Sequence, residues 1–189
     1  GSGKSTWLHL AVGLLRPDGG EIEAFGKVRT DEKDFHEVRA RTGLLFQEPE
    51  DQLFCPTVLE DVAFGPLNLG RSPEEAYAIA EDTLSSLGLQ GYGERITHKL
   101  SEGEKRLVSL ATVLAMKPEV LLLDEPTAGL DTDIVEHIVD ILGELSLTIF
   151  AVSHDASFLD RITDRALRLE DGHLHESAIE PQETESVTG

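Results

Sequence analysis

Two short stretches carry residue types suited to handling phosphate. Gly1-Ser2-Gly3-Lys4-Ser5-Thr6 is the second half of the pattern G-x-x-x-x-G-K-[ST], and an apolar helical run including Trp7, Leu8, Leu10, Ala11, Leu14 and Leu15 follows at once. In such a loop backbone N–H groups wrap a β-phosphate, the lysine offsets charge on the β/γ oxygens and a hydroxyl is offered to Mg²⁺. This reading gives phosphate contact to Gly1, Ser2, Gly3, Lys4, Ser5 and Thr6, and metal contact to Ser5. The leading glycine of the pattern, and the strand that normally precedes it, are not in the sequence. The chain is therefore expected to be truncated inside its phosphate loop.

The second stretch, Leu100-Ser101-Glu102-Gly103-Glu104-Lys105-Arg106, leads through an apolar helix into Val120-Leu121-Leu122-Leu123-Asp124-Glu125-Pro126. Ser101 with Glu104 three residues on is a capping box, so a helix begins here with orphan N–H groups that attract an anion. Leu107, Val108, Leu110, Ala111, Leu114 and Ala115 cover more than one face, so this helix is expected to run to about Met116 and to lie largely buried. Lys117-Pro118 stops it. The apolar run before Asp124 reads as a strand buried on both faces of a parallel sheet. Asp124 and Glu125 then stand at its carboxyl end, where open α/β sheets bind ligands.

At these residues a family resemblance emerges. Leu100 to Glu104 resembles the LSGGQ signature of ATP-binding cassette (ABC) ATPases, and Leu121 to Glu125 resembles their Walker B strand. Glu102 and Glu104 stand where the commonest signature has Gly and Gln. As a capping-box residue Glu104 should bend back to the Ser101 amide; no such argument covers Glu102.

The resemblance continues in order along the chain. Gly43-Leu44-Leu45-Phe46-Gln47 reads as a buried strand ending in an amide, and Gln47 is similar to the glutamine of the family's Q-loop. Asp131 reads as a helix cap and also resembles the D-loop aspartate that crosses the dimer interface. His154 follows the buried strand Thr148 to Val152 and resembles the switch histidine. The segment Gln52 to Gly70 is similar to the energy-coupling ATPases of cobalt, nickel and vitamin importers. There Leu53, Phe54, Phe64, Leu67 and Leu69 form either a docking patch for a membrane subunit or, for most of them, the lobe's own core.

The resemblance implies ATP and Mg²⁺ as ligands and Glu125, His154 and Gln47 as the catalytic group. It implies metal contact by Ser5, Gln47 and Asp124, with Glu125 polarising the attacking water. It implies nucleotide contact by the phosphate loop in one subunit and by Ser101, Gly103 and Asp131 across a dimer. The implied partners are a second ATPase subunit, like or unlike, and a transmembrane coupling subunit.

Composition frames these expectations. A chain of 189 residues can bury one sizeable core. No run of about 18 apolar residues exists to span a membrane, so cytoplasmic residence is the default expectation, and the resemblance implies a peripheral place on the cytoplasmic face of the cell membrane. The formal charge of −20, from 36 acids against 16 bases, argues against nucleic acid as a partner. Cys55, the single cysteine, excludes an internal disulfide and reads as a small apolar filler.

Between the motifs, Arg16 to Gly20 is turn chemistry and Glu21 to Gly26 a short strand with one wet face. Thr30 to Arg41 reads as a loop with one helical turn. Ser72-Pro73-Glu74-Glu75 starts a helix that Gly88 ends. Ala166 to Leu169, with Gly172 and Leu174, reads as a closing strand and turn.

The expected fold is α/β: a P-loop NTPase parallel sheet core with flanking helices, a partial antiparallel β lobe and a small helical lobe at about 65–100. Residues 1–175 form the ATPase domain and 176–189 an acidic disordered tail. The expected function is ATP hydrolysis powering an importer, the resemblance implying cobalt or nickel ions or a vitamin as cargo. A soluble cassette ATPase without a transporter, or an inactive interaction fragment with an incomplete phosphate loop, are the rival readings.

Overall fold

The computed structural model describes residues 3–177; Gly1, Ser2 and 178–189 lie outside the described residues. In chain order the elements are α1 (Lys4–Ala11), β1 (Ile22–Ala24), β2 (Lys27–Arg29), α2 (Glu32–Arg41), β3 (Thr42–Leu45), α3 (Val58–Asn68), α4 (Pro73–Ser86), α5 (Glu102–Leu114), β4 (Val120–Asp124), α6 (Thr132–Glu144), β5 (Thr148–Val152), α7 (Ala156–Ile162), β6 (Ala166–Glu170) and β7 (His173–Ser177).

The centre is a parallel sheet in the order β3-β4-β5, in register Leu44↔Leu122 and Leu122↔Phe150. Side chains alternate across a strand, so a continuous apolar run feeds both faces. Leu44 and Leu122 point to one face and meet Leu8 and Val12 from α1 and its C-terminus. Leu45, Leu121 and Leu123 point to the other and join α3, α4, α5 and α6 in the main core. The hairpins β1-β2 and β6-β7 are antiparallel.

Several local expectations are corrected. Residues 32–41 form a ten-residue helix instead of one turn, because Asp31 and Asp34 make a full capping box and Phe35 and Val38 are buried. α1 stops at Ala11, short of Leu14 and Leu15, because Gly13 takes a left-handed φ of 71°. α5 ends at Leu114, two residues early. The helical lobe begins at Val58 with a Thr57–Glu60 capping box, ahead of the expected 65. β7 runs through Ser177, two residues into the segment read as tail.

The segment before α3 is laced to the segment before α5. Thr57 bridges Ile96, Val58 N–H donates to the Arg95 carbonyl (3.1 Å), and Thr97 N–H donates to that of Pro56 (3.2 Å). Asp61, 3% exposed, accepts from the Phe54 N–H (3.0 Å), the Cys55 N–H (2.9 Å) and the Thr97 hydroxyl (2.9 Å). Asp61→Ala leaves the buried Thr97 hydroxyl and two part-buried backbone N–H groups without their acceptor and is expected to cost about 3 kcal/mol. Thermal denaturation should show a midpoint lower by roughly 5–10 °C, with Asp61→Asn recovering part of it. Next to this carboxylate, burial pushes the Cys55 thiol up to about 11, as suits a filler and not a reactive thiol.

Candidate functional site

The functional side chains gather where β3, β4 and β5 end. Asp124 is the last residue of β4, opposite Val152, and is 3% exposed. Its Oδ1 is buried without a hydrogen-bond partner among the described residues. Glu125 follows in a left-handed conformation (φ 45°), with its N–H donating to the Val152 carbonyl at 2.8 Å. A non-glycine residue in that region is strained and is held there by its surroundings. The turn aims Glu125 toward the end of β5, where it meets His154. The His154 N–H donates to Glu125 Oε2 (3.1 Å), and His154 Nε2 stands 3.4 Å from Oε1. The Glu125 side chain is only 13% exposed, against 82% for that of His154, so the carboxylate is sheltered and the imidazole open to a ligand.

Gln47 lies two residues beyond β3 at the same end of the sheet and is exposed. Its position is fixed by a residue that the motif reading passed over. Arg106, buried in α5, donates from Nη1 to the Phe46 carbonyl (2.6 Å) and from Nη2 to that of Gln47. Burial pushes its guanidinium down from its usual value, while Glu48, Glu102, Glu50 and Asp124 pull it back up. Gln52 adds a second anchor, donating to the Ser109 carbonyl (2.7 Å) and the Thr112 hydroxyl (2.6 Å) and accepting from the Phe46 N–H (3.3 Å). In the sequence Arg106 only closes the charged run Glu102 to Arg106, which gave no sign of its burial.

The start of α1 lies over the sheet. Gly3 adopts φ 84° and its carbonyl accepts the Trp7 N–H (2.9 Å), so Lys4, Ser5 and Thr6 form the first turn. Leu8 and Val12 seat this helix on Leu44 and Leu122, and the His9 ring lies 5.8 Å from that of Phe46. Gly1 and Ser2, the other two phosphate-loop residues, lie outside the described residues.

Ser101 and Gly103 lie at the start of α5 and Asp131 at the start of α6. Ser101 caps α5 with the expected box to Glu104, and it stands five residues, or about 7.5 Å of helix, beyond Arg106. Among the described residues no hydrogen bond or ion pair joins Ser101 or Gly103 to Glu125 or His154. Gly103 lies hard against α6: a Cβ there would come within 2.9 Å of Ile134 Cγ1. Asp131 is the N-cap of α6 and is exposed, but its side chain makes no capping hydrogen bond, which corrects the simple cap reading.

Both unusual acids of the signature are paired. Glu104 bends back to the Ser101 N–H (2.8 Å), and Glu102 meets Lys105 at 2.8 Å. Lys105 also pairs with Glu50 in the loop after Gln47. Of the five apolar residues held open between patch and core, Phe54, Phe64, Leu67 and Leu69 are exposed and Leu53 packs on the core. Phe54 and Phe64 meet edge to face at 4.8 Å, beside a cavity of about 580 Å³ lined by Leu53, Phe54, Pro56 and Ile96.

Parallel strands that end in paired acids and an imidazole, with a glycine-led helix across the sheet, define an α/β protein of the P-loop NTPase class. The chain belongs to the ABC transporter family, whose model matches residues 1–128. It is 44% identical over 179 residues to the energy-coupling factor transporter ATP-binding protein EcfA of Methanothermobacter thermautotrophicus, covering 92% of this chain and 57% of that one. Among solved structures it is similar to CbiO1 of Clostridium perfringens, part of the ABC transporter complex CbiONQ: TM-score 0.78, 34% identity, 92% of this chain and 71% of that one. It is also similar to the dimeric post-hydrolysis cassette MJ0796 bound to ADP and phosphate: TM-score 0.83, 27% identity, 95% and 82% covered. The chain spans 63% of the first curated relative it matches.

Proposed function

We propose that this chain is the ATP-hydrolysing subunit of an energy-coupling importer, acting as a dimer against a transmembrane partner. The observation that carries the reading is the Glu125–His154 contact beside the orphaned Asp124 oxygen. Phosphoryl transfer to water asks a protein for positioning and charge stabilisation more than for covalent chemistry. In this reading Glu125 orients and polarises the attacking water. The 3.1 Å bond from the His154 backbone holds that carboxylate in place, and the exposed imidazole contacts the γ-phosphate.

Lys4 and the amides of Gly1, Ser2, Gly3, Ser5 and Thr6 hold the phosphates. A hard cation suits the donors present: a buried carboxylate oxygen with no partner at Asp124, a hydroxyl at Ser5 and an amide at Gln47. Those residues would hold Mg²⁺, which when bound neutralises phosphate charge. Among the described residues Ser101 and Gly103 make no hydrogen bond or ion pair with Glu125 or His154, which supports their acting on the nucleotide of a second copy, with Asp131 at the interface between copies. A like or an unlike subunit could supply that second half.

The exposed Phe54, Phe64, Leu67 and Leu69 suit a transmembrane subunit and so a peripheral place on the cytoplasmic face of a membrane. No helix among the described residues is long and apolar enough to cross one itself. The similarity to EcfA and CbiO1 supports an energy-coupling transporter, and cobalt or nickel ions or a vitamin are the cargoes proposed for it.

Because each chain holds half of two sites, ATP turnover per chain is expected to rise with chain concentration until dimers saturate. A rate per chain that stays constant on dilution to fully monomeric protein, checked by sedimentation, would overturn the reading.

A further inference from the structure

The carboxylate of Glu104 is held by more than its capping box requires. Besides the Ser101 N–H at 2.8 Å, it accepts from the Tyr92 hydroxyl (2.9 Å) and from Arg95 Nη1 (2.8 Å). The Arg95 guanidinium lies over the Tyr92 ring, 3.6 Å from its centroid, so the two donors brace each other. The Arg95 backbone is fixed in turn, with its N–H on the Tyr92 carbonyl (2.8 Å) and its carbonyl accepting from Val58 (3.1 Å).

This bracing matters because of where Glu104 stands. The N-terminus of α5 presents orphan N–H groups with a partial positive charge of roughly half a unit. A loose carboxylate in the first turn would cancel that attraction and repel a triphosphate approaching the mouth of the helix. We infer that Tyr92 and Arg95 are positioning residues: they pin the Glu104 carboxylate where it sits on the Ser101 N–H, and Arg95 offsets its charge, so that the Ser101–Gly103 tip can clamp the triphosphate of an opposing copy. This rests on the dimeric ATP-clamp reading above. Protonation does not do the same job: the Ser101 amide, and after it Tyr92, hold the Glu104 carboxyl below its ordinary range, so it stays charged. The Tyr92 phenol is raised by that carboxylate and remains a donor.

The test is a double-mutant cycle in the assembled protein carrying Glu125→Gln, so that hydrolysis does not enter. The reading is the ATP concentration that half-drives pairing of chains, followed by sedimentation. Arg95→Ala is expected to raise it on the order of tenfold when Glu104 is present and less than about twofold in the Glu104→Gln background. The penalty should also shrink between roughly 0.05 and 0.5 M salt, as an electrostatic one must. Equal, salt-insensitive penalties in both backgrounds would make Arg95 a merely structural residue and overturn the inference. So would a protein that binds ATP without pairing. Should Arg95→Ala melt at the assay temperature, Tyr92→Phe, which keeps the ring and removes one donor, runs through the same cycle. ATP turnover by the chain without Glu125→Gln is measured separately, and its absence would count against the proposed function alone.

Discussion

Glu125→Gln should lower ATP turnover by a factor on the order of 10³ and leave ATP affinity within about twofold. The geometry makes this a clean substitution. The amide oxygen of Gln can accept the 3.1 Å bond from the His154 N–H that the Glu125 carboxylate accepts now. The left-handed turn at residue 125 is fixed by the backbone bond to Val152 and does not depend on the side-chain charge. What is lost is the negative charge that draws a proton from water. Single-turnover hydrolysis and equilibrium ATP binding on the same preparation separate the two quantities. Turnover above a tenth of the parent value would remove Glu125 from the role given to it.

Arg106→Leu is expected to act on stability and turnover together. The side chain is 3% exposed and supplies the donors for two carbonyls, those of Phe46 and Gln47. Leucine fills most of the volume but leaves both carbonyls without that donor, at a cost of about 3 kcal/mol, or a midpoint lower by roughly 10 °C. Well below that midpoint, turnover should still fall on the order of tenfold, because the chain bearing Gln47 has lost the nearer of its two tethers to α5, keeping only that through Gln52. Arg106→Lys reaches one carbonyl and should recover part of both effects. A destabilised protein with full turnover when cold would show that the tether holds the fold and does not serve the site.

The site was legible in the sequence where chemistry is local. A capping box is a four-residue pattern, so Ser101 and Glu104 were found from spacing alone, and the apolar run before Asp124 named its strand because burial on both faces leaves no polar alternation. The helix at 32–41 was missed because its apolar residues are only Phe35, Val38 and Ala40; its boxed start at Asp31 and Asp34 was the available signal. The fate of Leu53, Phe54, Phe64, Leu67 and Leu69 could not be read, since exposure depends on which face α3 turns to α4 and α5. Arg106 was missed for a similar reason. Its partners lie about sixty residues away, and no short pattern records a side chain that donates to distant carbonyls.

The close approach of Gly103 to Ile134 constrains how this surface can change. With only 2.9 Å between a new Cβ at 103 and Ile134 Cγ1, any side chain larger than hydrogen has to displace α6 or find a smaller neighbour there. Gly103→Ala and Ile134→Ala, the second of which removes Cγ1, should therefore be poor singly and better tolerated as a pair. The start of α5, which bears Ser101, and the first turn of α6, which follows Asp131, thus meet at a matched pair of shapes, and drift at one position obliges drift at the other.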